Sequence, residues 1–246
     1  MSKTKINPAL TIAAAILFGL LVLTVSHAQT IRPVISEYSS KVAKGRFELV
    51  NTGLVPLSVI LDPKSFSVSE NGTITYRPLD KNIQLKLSAT SFQIPPEQSY
   101  FVFYEARADV RPAWFVIYCG IGVLHKNDAG MNIRLDLPHT VYILPKHSVE
   151  KSEVLISALG PTADQTHLGF LVTNTGPWFG RVLSSELSGR DGNTQASGFP
   201  LFPHSARIVE VACTDSQTAA TLRLRFKNFK IEAPLSEPQG SQPCAP

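Results

Sequence analysis

Cysteine and histidine are scarce in this chain of 246 residues, which argues against several kinds of site. The three cysteines form no Cys-x-x-Cys pair, so a thioredoxin-like motif and a zinc ribbon are excluded. The six histidines lack i, i+2 or i, i+4 spacing, so no metal site is expected. A Gly-x-Ser-x-Gly elbow, a phosphate-binding glycine loop and a clear Ser/His/Asp grouping are also missing. We expect no enzyme activity, no cofactor and no small-molecule substrate.

Long apolar runs are equally rare, and the only one stands at the N-terminus, where it indicates a secretory signal peptide. Lys3 and Lys5 supply positive charge, residues 9–25 carry none, and Ser26–Ala28 places small residues at the −3 and −1 positions. We predict cleavage before Gln29. An uncleaved anchor is the alternative, because about 17 uncharged residues is the lower limit for spanning a bilayer.

Clustered positive charge is absent from the remainder of the chain. The net charge of +4 includes two lysines and no acid within residues 1–28, so cleavage leaves +2. The other basic residues are scattered along the chain. We therefore do not expect nucleic-acid binding, although the isoelectric point is near 9.0.

Short segments with alternating apolar and polar residues follow, bounded by glycine, proline, asparagine and aspartate. Residues 83–87 alternate in this way, and Asn71–Gly72 is typical of a hairpin turn. The denser apolar runs Tyr100–Tyr104 and Ala113–Ile121 are expected to be strands buried on both faces. No segment shows a sustained helical period, so the predicted fold class is all-β.

A weak internal repeat divides the chain into two parts. Residues 46–53 resemble residues 169–176, and both segments end in Asn-Thr-Gly, with the asparagines 123 positions apart. Two tandem immunoglobulin-like sandwiches explain this spacing better than one large barrel, which is the alternative. The expected division is a signal peptide at 1–28, domains at 29–146 and 147–234, and a flexible tail at 235–246.

An alternating segment closes the first predicted domain and is a candidate binding strand. Its apolar residues lie on one face at two-residue intervals and span about 20 Å; they are Met131, Ile133, Leu135 and Leu137. The alternative is an ordinary strand that buries this face in its own core.

Together these features resemble the periplasmic pilus-assembly chaperones, the PapD-like family, over almost the whole mature chain. The resemblance depends on the order of several landmarks, none diagnostic alone: Ile31–Val34, Phe47–Gly53 with Pro56, Ile94–Ser99, Met131–Pro145, Leu171–Gly176, Leu201–Ser205 and Leu222–Phe229. It implies a periplasmic chaperone that lends an edge strand to an incompletely folded pilin-like subunit by β-augmentation, in fimbrial biogenesis. It also implies contact with an outer-membrane usher.

The resemblance further implies two cations that hold the C-terminal carboxylate of the client, one on the first strand and one on the last strand of the first domain. Arg32 fits the first position. The second falls at Thr140, beside His139, and neither side chain is a permanent cation, so Lys146 and Arg134 are nearby alternatives. Pro138 is expected to interrupt the strand. These departures suggest a divergent member, and the competing interpretation is an extracytoplasmic structural or adhesion module without a chaperone cycle.

The cysteines fall into two groups. Cys119 lies inside an apolar run and is expected to be a buried free thiol. Cys213 and Cys244 are a candidate disulfide that would fasten the proline-rich tail to the body, although sequence alone does not fix connectivity.

Overall fold

A computed structural model describes residues 29–123, 134–164, 166–189, 192–212 and 221–234. These residues form strands and one 3-10 turn at Lys151–Glu153. The strands of the first half are β1 (Thr30–Arg32), β2 (Ile35–Tyr38), β3 (Val42–Val50), β4 (Leu57–Val68), β5 (Ile74–Pro78), β6 (Ile83–Leu87), β7 (Ser91–Ile94), β8 (Ser99–Ala108), β9 (Ala113–Val123) and β10 (Arg134–Ile143). Those of the second half are β11 (Val154–Pro161), β12 (His167–Asn174), β13 (Gly180–Gly189), β14 (Gly192–Leu201), β15 (Ser205–Ala212), β16 (Thr221–Arg225) and β17 (Lys230–Pro234).

The first ten strands build a sandwich of two sheets. One sheet has the order β1-β3-β8-β6, and the other has the order β2-β10-β9-β4-β5, with β7 paired to β4. Alternating residues of both sheets meet in one core, which contains fully buried Phe47, Phe115 and Ile117. This arrangement of two facing sheets around one core is that of an immunoglobulin-like sandwich.

The first strand of this sandwich is divided between the two sheets. β1 pairs antiparallel with β3, whereas β2 pairs parallel with β10 over residues 35–38 and 140–143. Pro33 lies between the two halves, where neither pairing requires a backbone N–H. The proline therefore costs the sheets no hydrogen bond. Because of this division the first strand closes one corner of the sandwich, and β2 covers only the C-terminal part of β10.

The second half of the chain forms a smaller sandwich of the same type. Its sheets have the orders β11-β12-β15 and β14-β13-β16-β17, and the pairings are antiparallel. Its core contains fully buried Phe170, Leu187 and Leu222. The predicted fold class, two tandem immunoglobulin-like sandwiches, is confirmed.

The sequence repeat corresponds to a repeated hydrogen-bonding device. The buried Asn51 directly follows β3, and its amide donates to the carbonyl oxygens of Val55, Ile94 and Pro95 at 2.9–3.1 Å. Its Oδ1 accepts from the N–H of Gly53 at 3.0 Å. These bonds join the end of β3 to the turn that leads into β8.

In the second sandwich, Asn174 ends β12 and bonds in the same way. Its amide donates to the carbonyl oxygens of Trp178 and Phe202 at 2.7 and 3.0 Å, and its Oδ1 accepts from Gly176 N–H. The turns after these contacts also match, since Glu97 (φ 56°) and His204 (φ 49°) both adopt the left-handed conformation.

The two sandwiches meet through an aromatic cluster. Its buried members are Phe66, Val116 and Tyr142 from the first sandwich, and Phe179 and Phe202 from the second. Trp114 packs on this cluster with its ring centroid 4.5 Å from that of Phe202. Its indole N–H donates to the Phe66 carbonyl oxygen at 2.8 Å, so the ring buries no unpaired donor.

The turn between β4 and β5 also reaches the second sandwich. The backbone N–H of Ile208, on the outer strand β15, donates to the carbonyl oxygen of Glu70 at 2.7 Å. Gly72 adopts φ +86° in this turn, and the guanidinium of Arg207 lies against it. The predicted hairpin at Asn71–Gly72 is confirmed, and its tip covers part of the β15 edge.

Burial confirms two expectations and corrects a third. The run Ala113–Ile121 is largely buried, and Cys119 is a buried free thiol whose burial raises its pKa to about 12. The expectation for Tyr100–Tyr104 is wrong, because β8 alternates and leaves Phe101 41% and Phe103 53% exposed. The density of apolar residues in this run conceals the two-residue alternation of a strand with one open face. Cys213 and Cys244 lie outside the described residues.

Within the described ranges, no helix is both long and apolar enough to cross a membrane.

Replacement of either repeated asparagine should destabilise the protein. Asn51→Ala and Asn174→Ala each leave several carbonyl oxygens without a donor, so we expect a loss of about 2–4 kcal/mol in the free energy of unfolding. Urea unfolding followed by circular dichroism measures this loss. Asn193→Ala, at an exposed position of β14, is the matched control and should change stability by less than about 0.5 kcal/mol. Equal effects at all three positions would contradict the assigned role.

Candidate partner-binding edge

The N-terminal part of β10 lacks a neighbour on one side. β10 pairs with β9 along its whole length, from Arg134 opposite Gly122 to Ile143 opposite Ala113. β2 covers only residues 140–143 on the other side. Within the described part of the chain, residues 134–139 therefore present an open sheet edge.

The hydrogen bonds beyond this edge show which backbone groups it offers. Thr140 N–H donates to the Val34 carbonyl oxygen, and Leu144 N–H donates to that of Tyr38, at 2.8 and 2.7 Å. Even-numbered residues of β10 therefore direct their backbone groups away from β9. It follows that Arg134 and Asp136 offer both N–H and C=O at the open edge.

Pro138 lies within β10 and does not interrupt it, which corrects the expectation from sequence. Residues 134–143 continue through it as one strand, with Pro138 opposite Tyr118. Its nitrogen is on the open side, where no ladder bond is lost. The edge offers only a carbonyl oxygen at this position, so proline shortens the run of available donors without breaking the strand.

The side chains of this segment differ on its two faces. Leu135 is 39% exposed, and Leu137 packs against the core of the first sandwich. On the other face, Arg134 Nε and Asp136 Oδ1 form an exposed ion pair at 2.9 Å. Met131 and Ile133, which complete the alternating set in the sequence, lie outside the described residues. The open edge is therefore apolar on one face and charged on the other.

His139 is fully buried and lies inside the sandwich where the open edge meets the covered part of β10. Its ring stacks on Phe47 with centroids 4.6 Å apart. Nδ1 lies 2.7 Å from the carbonyl oxygen of Pro33, which can only accept, so Nδ1 carries the proton. Nε2 then accepts from the hydroxyl of Tyr104 at 3.2 Å, and that hydroxyl in turn accepts from Tyr38 at 2.8 Å.

These bonds tie the crossover between β1 and β2 to β10. Pro33 belongs to the crossover, His139 to β10, Tyr104 to β8 and Tyr38 to β2. Desolvation lowers the pKa of His139, while the bond to Pro33 opposes this effect. Burial raises the pKa of Tyr104. The network is neutral near pH 7 and fixes the point at which the open edge begins.

Arg32 lies on the outer face of the first sheet and is 69% exposed. Its Nε donates to Glu48 Oε2 at 2.7 Å, and this bond holds the pKa of Glu48 below its usual value. Thr140, the second residue implied for a carboxylate site, is half-buried on β10 in the other sheet. The side chains of Arg32 and Thr140 thus belong to different sheets.

Sequence patterns did not identify an ion pair between the two sandwiches. Arg181 on β13 donates from Nε to Glu37 on β2. Its guanidinium lies 4.9 Å from the ring centroid of Tyr142 and 5.4 Å from that of Phe179. Only the three-dimensional fold brings these positions together, since Glu37 and Arg181 are far apart in the sequence. The ion pair extends the aromatic contact towards β2.

The described residues contain no group of three or more histidine, cysteine or acidic side chains arranged to hold a metal ion.

Comparison with known proteins gives no match to a protein-family model and none to a curated protein. Solved structures do match. The YadV chaperone is 13% identical with a TM-score of 0.52, over 84% of this chain and 98% of that chain. A chain of the complex between the Salmonella enterica SafA pilin and SafB chaperone is 10% identical with a TM-score of 0.52, over 86% and 98%. The class 5 fimbriae chaperone CfaA is 8% identical, with a TM-score of 0.52, over 85% and 100%.

The chain has the fold of the pilus chaperones. The similarity extends over both sandwiches, and the resemblance expected from the sequence is confirmed at the level of the fold. At such low identity the similarity shows the architecture alone.

Acid should destabilise this protein through His139. Its pKa is lower in the folded than in the unfolded chain, so the unfolded chain takes up a proton first, near pH 6.5. Stability should therefore fall as the pH decreases below about 6.5, by at most about 1.4 kcal/mol per pH unit. Urea unfolding between pH 7.5 and 5 measures this slope.

His139→Phe keeps an aromatic ring against Phe47 and removes the titrating group, so its slope over this range should be shallower. Carboxylates with lowered pKa values, such as Asp80 beside Arg77, titrate below the range and do not interfere. Identical slopes in the two proteins would show that His139 does not cause the acid sensitivity.

Proposed function

We propose that this protein is a periplasmic chaperone for pilus-type subunits and that it lends them the open edge of β10. The observation that carries the proposal is an edge at residues 134–139 that no described strand covers on its outer side, beside exposed Leu135. Its support is the two-sandwich fold, which the chain shares with pilus chaperones. The client would be an immunoglobulin-like subunit that lacks a strand, and an outer-membrane usher would be a further partner.

An open edge suits this task because it supplies both backbone and side-chain contacts. The N–H and C=O groups of Arg134 and Asp136 would extend the sheet of a client by β-augmentation. Leu135 and Leu137, with Met131 and Ile133 before them, have the two-residue spacing needed to fill a groove left by a missing strand. The subunit would thereby be protected from edge-to-edge aggregation.

Arg32 is the proposed anchor for the C-terminal carboxylate of the client. Only its Nε is used by Glu48, so the two terminal nitrogens of the guanidinium remain for a second carboxylate. The side chain is 69% exposed and reachable. Thr140 contributes no positive charge, and we propose Arg32 as a single-cation anchor.

Localisation and domain limits are part of the proposal. The N-terminal segment would direct export and be removed before Gln29, leaving domains at 29–146 and 147–234 with a tail to residue 246. The protein would act by binding alone, and we assign it no catalytic step or cofactor.

Leu135→Asp should abolish client binding. A charged side chain at this position cannot enter an apolar groove, so recovery of the complex should fall at least about tenfold. Co-expression in the periplasm with an affinity-tagged pilus subunit from the same genome, followed by purification of the complex, measures recovery. Arg32→Ala in the same assay tests the carboxylate anchor separately.

Leu155→Asp is the matched control, because Leu155 is 55% exposed on β11, an outer strand of the second sandwich. It should bind as the unchanged protein does. Full binding by Leu135→Asp would overturn the proposal. Loss of binding in both variants would indicate a general effect of added charge and would also contradict a specific role for β10.

Export can be tested on the protein alone. Intact-mass analysis of the periplasmic fraction should give a chain that begins at Gln29, because the residues at −3 and −1 suit signal-peptide cleavage. A Ala28→Tyr variant should accumulate uncleaved. A full-length mass for the unchanged protein in the membrane fraction would instead show a retained anchor.

A further inference from the structure

Two phenylalanines stand on the solvent-facing side of the first sheet, away from β10. Phe101 and Phe103 are 41% and 53% exposed and are neighbours on β8. In the adjacent strand β3, Glu48 lies opposite Phe101 and Arg46 lies opposite Phe103. Exposed single apolar residues are common, but two adjacent phenylalanines on a flat sheet are a contiguous apolar patch.

The charges around these rings are only partly neutralised. Three cations on this sheet or at its end have carboxylate partners, in the ion pairs Arg32–Glu48, Lys44–Glu105 and Arg107–Asp109. Arg46 and Lys86 make no ion pair with any residue that the structure describes. The guanidinium of Arg46 lies 5.0 Å from the Phe101 ring centroid, which holds it over the aromatic face.

These side chains also line two shallow depressions that meet at Arg46. One lies between Lys44 and Lys86, beside Phe103, and the other lies between Arg32 and Phe101. We call Phe101, Phe103, Arg46 and Lys86 the aromatic–basic surface. Aromatic and arginine side chains are enriched at the centres of protein interfaces and in their hot spots.

We propose that the aromatic–basic surface binds an extended acidic segment of a partner protein. An apolar side chain of the segment would pack on Phe101 and Phe103, and its carboxylates would bind Arg46 and Lys86. Charge complementarity favours this occupant, because the surface offers two unpaired cations around two apolar rings. An anionic membrane or nucleic acid fits less well, since carboxylates of Glu48 and Glu105 lie among the cations.

This surface is separate from the edge proposed to bind a client. It belongs to the sheet β1-β3-β8-β6, whereas β10 belongs to the opposite sheet of the sandwich. The open edge of β10 and the aromatic–basic surface can therefore be occupied at once. Arg32, the proposed carboxylate anchor, borders this surface, because it lines the same depression as Phe101 and Arg46. Phe103 and Lys86 lie outside that depression, so variants of these two residues test the surface without changing the anchor.

A blocked hexapeptide in which aspartate alternates with phenylalanine is a suitable probe. It has no free C-terminal carboxylate, and because its aspartate side chains can still reach Arg32, the variants of Phe103 and Lys86 locate the binding. When the peptide is titrated into the protein, the amide chemical shifts of β3, β6 and β8 should change in NMR spectra. Those of β10 should remain unchanged. Phe103→Ser and Lys86→Glu should each weaken binding about tenfold. An increase from 0.05 to 0.5 M salt should also weaken it.

Lys151→Glu, at an exposed position of the second sandwich, is the matched charge control and should leave affinity unchanged. Circular dichroism should confirm that each variant remains folded. No shifts on β3, β6 and β8, or equal affinity of the Phe103→Ser variant, would overturn the proposal. Binding to phosphatidylglycerol vesicles that requires Phe103, without binding to the peptide, would also overturn it and would assign the surface to a membrane.

Discussion

The pairing of the first strand with both sheets is the constraint on which the proposed binding edge depends. β1 pairs with β3 and β2 pairs with β10, so the strand covers only residues 140–143 of β10. The buried chain of hydrogen bonds from Tyr38 through Tyr104 and His139 to Pro33 fixes where this coverage begins. A polar network in a core is stable only when each member is satisfied, and here each one has a partner. The point at which the open edge meets the covered part of β10 therefore follows from the core and not from surface residues.

Sequence patterns predicted the fold because its determinants are local. Alternation predicted the strands, Asn71–Gly72 predicted a hairpin, and the repeated Asn-Thr-Gly predicted the two sandwiches. In the structure, Asn51 and Asn174 make equivalent hydrogen bonds in the two sandwiches. Such signals depend on the pleat of a strand and on turn geometry, which a few neighbouring residues specify. The order of landmarks then led to the correct architecture at an identity too low for sequence comparison.

The candidate site was less predictable because it depends on pairing between distant segments. Alternation in residues 131–137 does not show whether a strand lies at the edge of a sheet. The pairing of β10 with β2, which includes only residues 140–143 of β10, does show it. The dense apolar run at residues 100–104 predicted that Phe101 and Phe103 are buried, although both face solvent. The sequence also gave no means of pairing Arg32 with Glu48, or Glu37 with Arg181.

The contact between the β4–β5 turn and β15 has a consequence for selectivity. A protein that exposes sheet edges risks pairing with any unfolded chain it meets, including copies of itself. Here one outer strand of the second sandwich is partly occupied by the Glu70 carbonyl of the first. Pro138 removes one donor from the edge that stays open, so a visiting strand finds fewer registers in which all its bonds are made. Intramolecular shielding at one edge and a missing donor at the other both reduce the number of alternative pairings, which is a form of discrimination that needs no additional contacts.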